Sequence, residues 1–225
     1  MRLYIDSADV EKIKYLTKYY PIAGVTTNPS IIVKENRPYL ELLKEIRAAI
    51  GDEKELFVQV IGDTAEEMVE EAKYIRHQLS GKVVMKIPVT EEGIRAIKLL
   101  TEENIPTLAT TIYTSFQALI AAMAGAQYVA PYVNRMDNLT IDGVKVVAEI
   151  AELFKNYHLT TDIIAASFKN VQQVHDVCLA GAQTVTVGPD LIEKFVAFPA
   201  TETDVRVFKS EWQKAFGEDK ASLID

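Results

Sequence analysis

Lys82-Val83-Val84-Met85-Lys86-Ile87-Pro88, followed at once by Val89-Thr90-Glu91-Glu92-Gly93-Ile94-Arg95-Ala96-Ile97-Lys98-Leu99-Leu100, is the stretch on which the fold turns. Its first half is short, β-branched and almost wholly apolar, as a strand buried on both faces must be. Its second half opens on Thr90 with two glutamates behind it, a helix-start signal, and residues 91–100 repeat their apolar positions with the 3.6-residue period of an amphipathic helix. A strand that runs straight into a helix is the unit of a parallel sheet with helical crossovers.

The unit recurs along the whole chain. Strand-like runs fall at 3–6, 23–28, 56–61, 82–88, 107–112, 128–133, 163–167 and 184–188, with helical periodicity between them at 65–79, 91–100 and 144–154 among others. Asn28-Pro29-Ser30 and Pro189-Asp190 mark further helix starts, and Gly125 and Gly181 fall where helices should stop. Eight units are the number that closes, so the expected fold is a single (β/α)8 barrel domain over residues 1–225. An open doubly wound sheet is the other possibility, but it normally has fewer strands and a glycine-rich first turn. The first turn here, Asp6-Ser7-Ala8-Asp9, has no glycine. Beyond the eighth unit, residues 201–216 read as an extra helix whose Val205, Phe208, Trp212 and Phe216 form an apolar stripe. That stripe packs either on its own barrel or on a neighbouring subunit.

Composition sets the outer limits. The 225 residues carry 24 Lys+Arg against 32 Asp+Glu, a formal charge of −8, with 25% charged and 48% hydrophobic residues. The balance is that of a folded domain, and the acidic excess argues against nucleic acid as a partner. One cysteine, Cys178, excludes a disulfide framework and a cysteine-built metal site. No apolar run is long enough to span a membrane, and Met1-Arg2 leads directly into a strand rather than a signal peptide. A soluble, cytoplasmic protein without nucleic-acid or membrane partners is the expectation.

Alternation along the strands separates two faces. One is apolar: Leu3 and Ile5, Val58 and Val60, Val83, Met85 and Ile87, Val129 and Val133, Val185 and Val187. The other turns polar toward the strand ends, with Asp6, Thr26, Asn28, Gln59, Lys86, Thr110, Tyr132, Ser167 and Thr186. The branched face belongs against the helices, so the polar set points into the barrel near its C-terminal mouth, where barrel enzymes place their chemistry. Taken singly, Asp6, Asn28 and Ser167 could equally be helix caps.

Lys86 stands apart because lysine is almost never buried among apolar residues without a reason. A structural pair with Asp6 would be one reason. A desolvated amine, part of it unprotonated at neutral pH and able to form a Schiff base with a ketone, would be another. Arg135, in Pro131-Tyr132-Val133-Asn134-Arg135-Met136-Asp137, and Ser167-Phe168-Lys169 suit a phosphate at the rim. An ordinary exposed ion pair of Arg135 with Asp137 is the other reading. His77, His158 and His175 show no metal-ligand spacing, and nucleophile-elbow and phosphate-loop motifs are missing. Cys178 reads as a helix core residue, and the glutamate-rich run 66–71 as a solvated helix face.

These residues together resemble the small transaldolase family, and within it the fructose-6-phosphate aldolases. The motifs that carry the resemblance are Leu3-Tyr4-Ile5-Asp6, Ala23-Gly24-Val25-Thr26-Thr27-Asn28-Pro29-Ser30, Val84-Met85-Lys86-Ile87-Pro88, Tyr132-Val133-Asn134-Arg135 and Ala166-Ser167-Phe168-Lys169, and it spans essentially the whole chain. It implies a cofactor-independent and metal-independent enzyme in which Lys86 forms the Schiff base with a sugar phosphate. Asp6, Asn28 and Ser167 would orient hydroxyls beside Thr26, and Arg135 with Ser167 would hold the phosphate. Lys169 stands where many relatives carry arginine, so the charge is kept and the bidentate fork lost. Gln59, Thr110 and Tyr132 match the aldolase pattern, where transaldolases tend to carry glutamate, asparagine and phenylalanine. Gln59 cannot serve as a carboxylate base, which leaves the Tyr132 phenol and a water held by Gln59 and Thr110 for proton transfer. Relatives of this size assemble as pentamer-based rings, often decamers, so a homo-oligomer is implied. A transaldolase and a catalytically silent sugar-phosphate-binding barrel are the other readings.

Overall fold

The computed structural model describes residues 1–217. Eight parallel strands, β1 (Arg2–Asp6), β2 (Ile22–Thr26), β3 (Glu55–Gln59), β4 (Val83–Pro88), β5 (Thr107–Ile112), β6 (Tyr128–Pro131), β7 (Asp162–Ala165) and β8 (Thr184–Val187), close into a barrel in chain order. Around them run α1 (Val10–Tyr19), α2 (Pro29–Lys34), α3 (Tyr39–Ile50), α4 (Ala65–Gln78), α5 (Glu91–Glu102), α6 (Ser115–Met123), α7 (Val133–Asn138), α8 (Gly143–Asn156) and α9 (Val171–Leu179), and the short α10 (Pro189–Ile192) follows β8 in the chain. This is the (β/α)8 barrel expected, and the open sheet is excluded by the pairing of β1 with β8. Met1–Pro189 forms one compact unit and the chain from Asp190 a second.

The unit from β4 to α5 shows how the sequence makes the tight return. Thr90 caps α5, its hydroxyl accepting from Gly93 N at 3.0 Å. A Cβ on Gly93 would lie 1.8 Å from the Pro88 carbonyl oxygen, so only glycine lets the helix start this close to the strand it follows. Ala96, Ile97 and Leu100 then bury their side chains completely.

Five polar residues at the mouth each follow, two residues on, an apolar one that points the same way. Asp6 stands above Tyr4, Gln59 above Phe57, Lys86 above Val84, Thr110 above Leu108 and Tyr132 above Ala130. The lower residues fill the barrel as one cluster with Tyr128, Ile164 and Ala166. Ile5, Val58, Met85, Ile87, Val129 and Val185, on the opposite face, are at most 1% exposed. This apolar floor makes the barrel a solid core with chemistry only at one end.

Glu55 ties the opposite end together. Its Oε1 accepts from Tyr128 Oη at 2.7 Å, its Oε2 accepts from Tyr4 Oη, and Arg2 approaches at 3.6 Å. Burial, then the Glu55 hydrogen bond, pushes the Tyr128 phenol up to about 12. Phe57 packs edge-on between the two tyrosine rings, with centroids 5.2 and 5.3 Å away. Removing the carboxylate strands two phenols, so Glu55→Ala should lower unfolding free energy by about 2 kcal/mol with little change in turnover. Denaturant titration beside an activity assay checks both halves.

Several strands stop earlier than alternation implies. β2 ends at Thr26: Thr27 N still donates to Phe57 O, but Asn28 already caps α2. β6 ends at Pro131, so Val133 opens α7 rather than continuing the strand. β7 ends at Ala165, and Ser167 follows in the left-handed region at φ 62°. Ile164 and Ala166 hold the inward positions there; Ser167 reaches the mouth from the loop instead. The glutamate run is more than a wetted face: Glu67 completes a capping box on α4, and Glu71 accepts from Ile61 N and Gly62 N at 2.8 and 3.1 Å. Cys178 is only partly buried on α9.

In the second unit, a 3₁₀ turn (Glu193–Phe195) precedes the helix α11 (Pro199–Phe216). It begins two residues before the expected 201, because Pro199 is suited to the first helical turn. Val205, Phe208, Trp212 and Phe216 are 58%, 64%, 40% and 55% exposed. Among the described residues, no helix is long and apolar enough to cross a membrane.

Candidate active site

At the C-terminal ends of the strands lies a cavity of about 130 Å³. Asp6, Thr26, Asn28, Lys86, Tyr132, Arg135, Ser167 and Thr186 give it polar walls, and Leu108, Ala130, Ile164 and Ala166 an apolar base. Strand register explains the convergence: Asp6 pairs with Thr26, Gln59 with Lys86 and Lys86 with Leu108.

Lys86 is 5% exposed, and its Nζ donates to the Thr27 carbonyl oxygen at 2.6 Å. A carbonyl accepts from an ammonium or, more weakly, from a neutral amine, so this bond can hold the nitrogen in place in either state. Burial pushes the amine's pKa down, and the field of Asp6 pulls it partly back. The structural alternative, a Lys86–Asp6 ion pair, is not formed. Asp6 Oδ1 instead accepts from Thr26 Oγ1 at 2.8 Å.

Helix capping is also resolved. Asp9 rather than Asp6 caps α1, and Asn170 rather than Ser167 caps α9. Asn28 does both jobs: its Oδ1 accepts from Ile31 N at 3.0 Å, and the residue lines the cavity.

Tyr132 and Thr110 meet at 2.8 Å between hydroxyls, Thr110 being fully buried. Burial pushes the Tyr132 phenol above its ordinary value, against the opposing pull of the Thr110 hydrogen bond and of Arg135. It therefore keeps its proton at neutral pH and can donate it. The Arg135 guanidinium lies 4.7 Å from the Tyr132 ring centroid. Asp137 is engaged elsewhere, accepting from Gln173 Nε2 at 2.6 Å and from Gly143 N at 3.0 Å. Arg135 is thus exposed at the rim with no carboxylate partner among the described residues.

Two expected residues stand outside this cluster. Gln59 lines an adjoining cleft with Thr27, Val58 and Ile61, and Asn28 borders both that cleft and the cavity. Lys169 is exposed, and its backbone N donates to Gln173 Oε1 at 2.7 Å. Two features escaped the sequence. The Thr27 carbonyl that holds Lys86 is a backbone group with no residue signature. The Thr26–Thr186 hydroxyl contact of 2.6 Å joins strands distant in the chain, although both threonines lie on the polar face. Among the described residues, no group of three or more His, Cys, Asp or Glu could hold a metal ion.

The fold and this mouth define a barrel with a buried lysine on its fourth strand, its pKa lowered by burial, surrounded by hydroxyls and a carboxylate. The chain belongs to the Transaldolase/Fructose-6-phosphate aldolase family, whose model matches residues 3–225. It is an enzyme of the aldolase or transaldolase type.

Proposed function

We propose that the protein is a class I aldolase that cleaves fructose 6-phosphate reversibly to dihydroxyacetone and glyceraldehyde 3-phosphate through a Schiff base on Lys86. The observation that carries this reading is the buried Lys86 amine, its pKa lowered, facing the same cavity as Asp6 and Tyr132. Nζ adds to the C2 ketone, and loss of water gives an iminium. The C4 hydroxyl yields its proton to Asp6 as the C3–C4 bond breaks, and the bonding pair flows through C2–C3 to the iminium nitrogen. Glyceraldehyde 3-phosphate leaves an enamine behind. Protonation at C3 by Tyr132, directly or through a water held with Thr110 and Gln59, regenerates the iminium, and hydrolysis frees dihydroxyacetone.

Arg135 supplies the phosphate contact, aided by Ser167; Asn28 and Ser167 orient hydroxyls, and Lys169 adds charge at the rim. The distinction from a transaldolase rests on the fate of the enamine. The Thr110–Tyr132 hydroxyl pair favours protonation over capture by a second aldehyde. Incubation with fructose 6-phosphate alone should give sustained release of both products. Release of glyceraldehyde 3-phosphate alone, and only after erythrose 4-phosphate is added to take up the three-carbon unit, would assign the transaldolase. The same reading includes a cytoplasmic homo-oligomer, consistent with the exposed apolar residues of α11.

A further inference from the structure

Thr186 lies on β8 beside Tyr4 of β1, and its side chain lines the cavity although the residue is only 5% exposed. Its Oγ1 lies 2.6 Å from Thr26 Oγ1, and Thr26 Oγ1 donates to Asp6 Oδ1 at 2.8 Å. A hydroxyl has a single hydrogen, and an ionised carboxylate only accepts. Thr26 therefore commits its hydrogen to Asp6 and must accept from Thr186. The three groups form a one-way chain running from β8 through β2 to β1. Thr26 is 1% exposed, so water does not compete for these bonds, and hydrogen bonds in series in a low-dielectric setting polarise one another.

Packing alone does not ask for a hydroxyl here. Val185 and Val187 flank Thr186, and valine has nearly the same shape as threonine.

We infer that Thr186 is a positioning residue for the carbon–carbon cleavage step: by donating to Thr26 it fixes Thr26's hydrogen on Oδ1 of Asp6, leaving the other carboxylate oxygen to receive the proton of the substrate's C4 hydroxyl. The inference rests on the reading that Asp6 accepts that proton, and it holds for an aldolase and a transaldolase alike, since both break the same bond.

The test compares Thr186→Val and Thr186→Ser with the unmodified enzyme in three measurements: thermal unfolding, kcat and KM for fructose 6-phosphate, and borohydride trapping of the Lys86 adduct. An acceptor aldehyde is present in the kinetic assay, so that either enzyme type turns over. Thr186→Val should fold normally and keep KM and the trapping rate, while kcat falls about tenfold. Thr186→Ser, which restores the donor, should recover kcat to within about twofold.

Equal kcat in Thr186→Val and the parent overturns the proposal, as does equal loss in both variants, which would mean that the shape of the side chain and not its donated hydrogen sets the rate. A fall in trapping that matches the fall in kcat also overturns it, because the effect would then precede cleavage. If Thr186→Val fails to fold, Thr186→Ala against Thr186→Ser makes the same comparison. Absence of any Lys86 label in the unmodified enzyme would instead sink the Schiff-base reading, and this inference with it.

Discussion

Lys86→Met should reduce turnover of fructose 6-phosphate by a factor of about ten thousand or more, with no borohydride-dependent labelling left. Methionine keeps the length and apolar stem of lysine, so Val84 beneath it and Leu108 beside it retain their packing. What disappears is the amine and its bond to the Thr27 carbonyl. No neighbouring side chain in the cavity can replace it as a nucleophile toward a ketone. Asp6 is a carboxylate, Tyr132 a phenol held protonated, and Arg135 is permanently charged. A normal rate in this variant would end the Schiff-base mechanism.

Stability should move the other way, with a pH signature. Burial lowers the Lys86 pKa in the folded state, so between that value and the free one the unfolded chain binds more protons on this residue. Stability contributed by such a group rises with pH through this window, and the full penalty applies below the folded pKa. Lys86→Met lacks the penalty altogether. Its stability advantage over the parent should therefore shrink as pH rises through the lowered folded value toward that of a free lysine, by up to about 1.4 kcal/mol per pH unit. Denaturant midpoints across that range measure it. A difference independent of pH would mean that the amine is no less basic folded than unfolded.

Why Lys86 was legible in the sequence, while its holder was not, follows from what a sequence encodes. A lysine inside an apolar β-branched run violates burial rules locally, and the violation is visible at once. The eight strand–helix repeats are similarly local, which is why the barrel could be read before any contact was known. Strand ends were harder. Thr27 N still bonds to Phe57 O and Asn28 keeps an extended backbone beyond the strand's last residue, so the run from Ala23 looks unbroken until the Asn28 cap is seen. Ser167 defeats alternation because its left-handed φ breaks the two-residue period that placed it. Gln59 does face the mouth, but the register with Lys86 leaves it lining the adjoining cleft, a matter of angles that the period cannot supply. The short α2 and α7 carry too few turns to show a helical period. The chain of hydroxyls at Asp6 depends on barrel closure, which brings β8 against β1 and β2 across 160 residues of sequence.

Tyr132→Phe should separate the two outcomes open to the enamine. Free dihydroxyacetone release from fructose 6-phosphate is expected to fall about a hundredfold, in the range for loss of a general acid. Transfer of the same three-carbon unit to an added aldehyde should be retained within several-fold. Phenylalanine preserves the ring, so the edge contact with Tyr113 at 6.0 Å and the stacking position of Arg135 at 4.7 Å remain available. The change is confined to one oxygen and its hydrogen bond with Thr110, whose buried hydroxyl loses a partner at a cost of about 1 kcal/mol. In the proposed mechanism cleavage relies on Lys86 and Asp6, neither of which bonds to Tyr132, so it should proceed to the enamine in the variant. Without the phenolic proton the enamine waits, and an aldehyde that enters during that wait reacts with C3 in place of a proton. The enzyme would thus drift from lyase toward transferase by removal of one donor. Equal loss of release and transfer would place Tyr132 at or before bond cleavage. Unchanged release would mean that the proton reaches C3 by another route, and the Thr110–Tyr132 pair would then be structural.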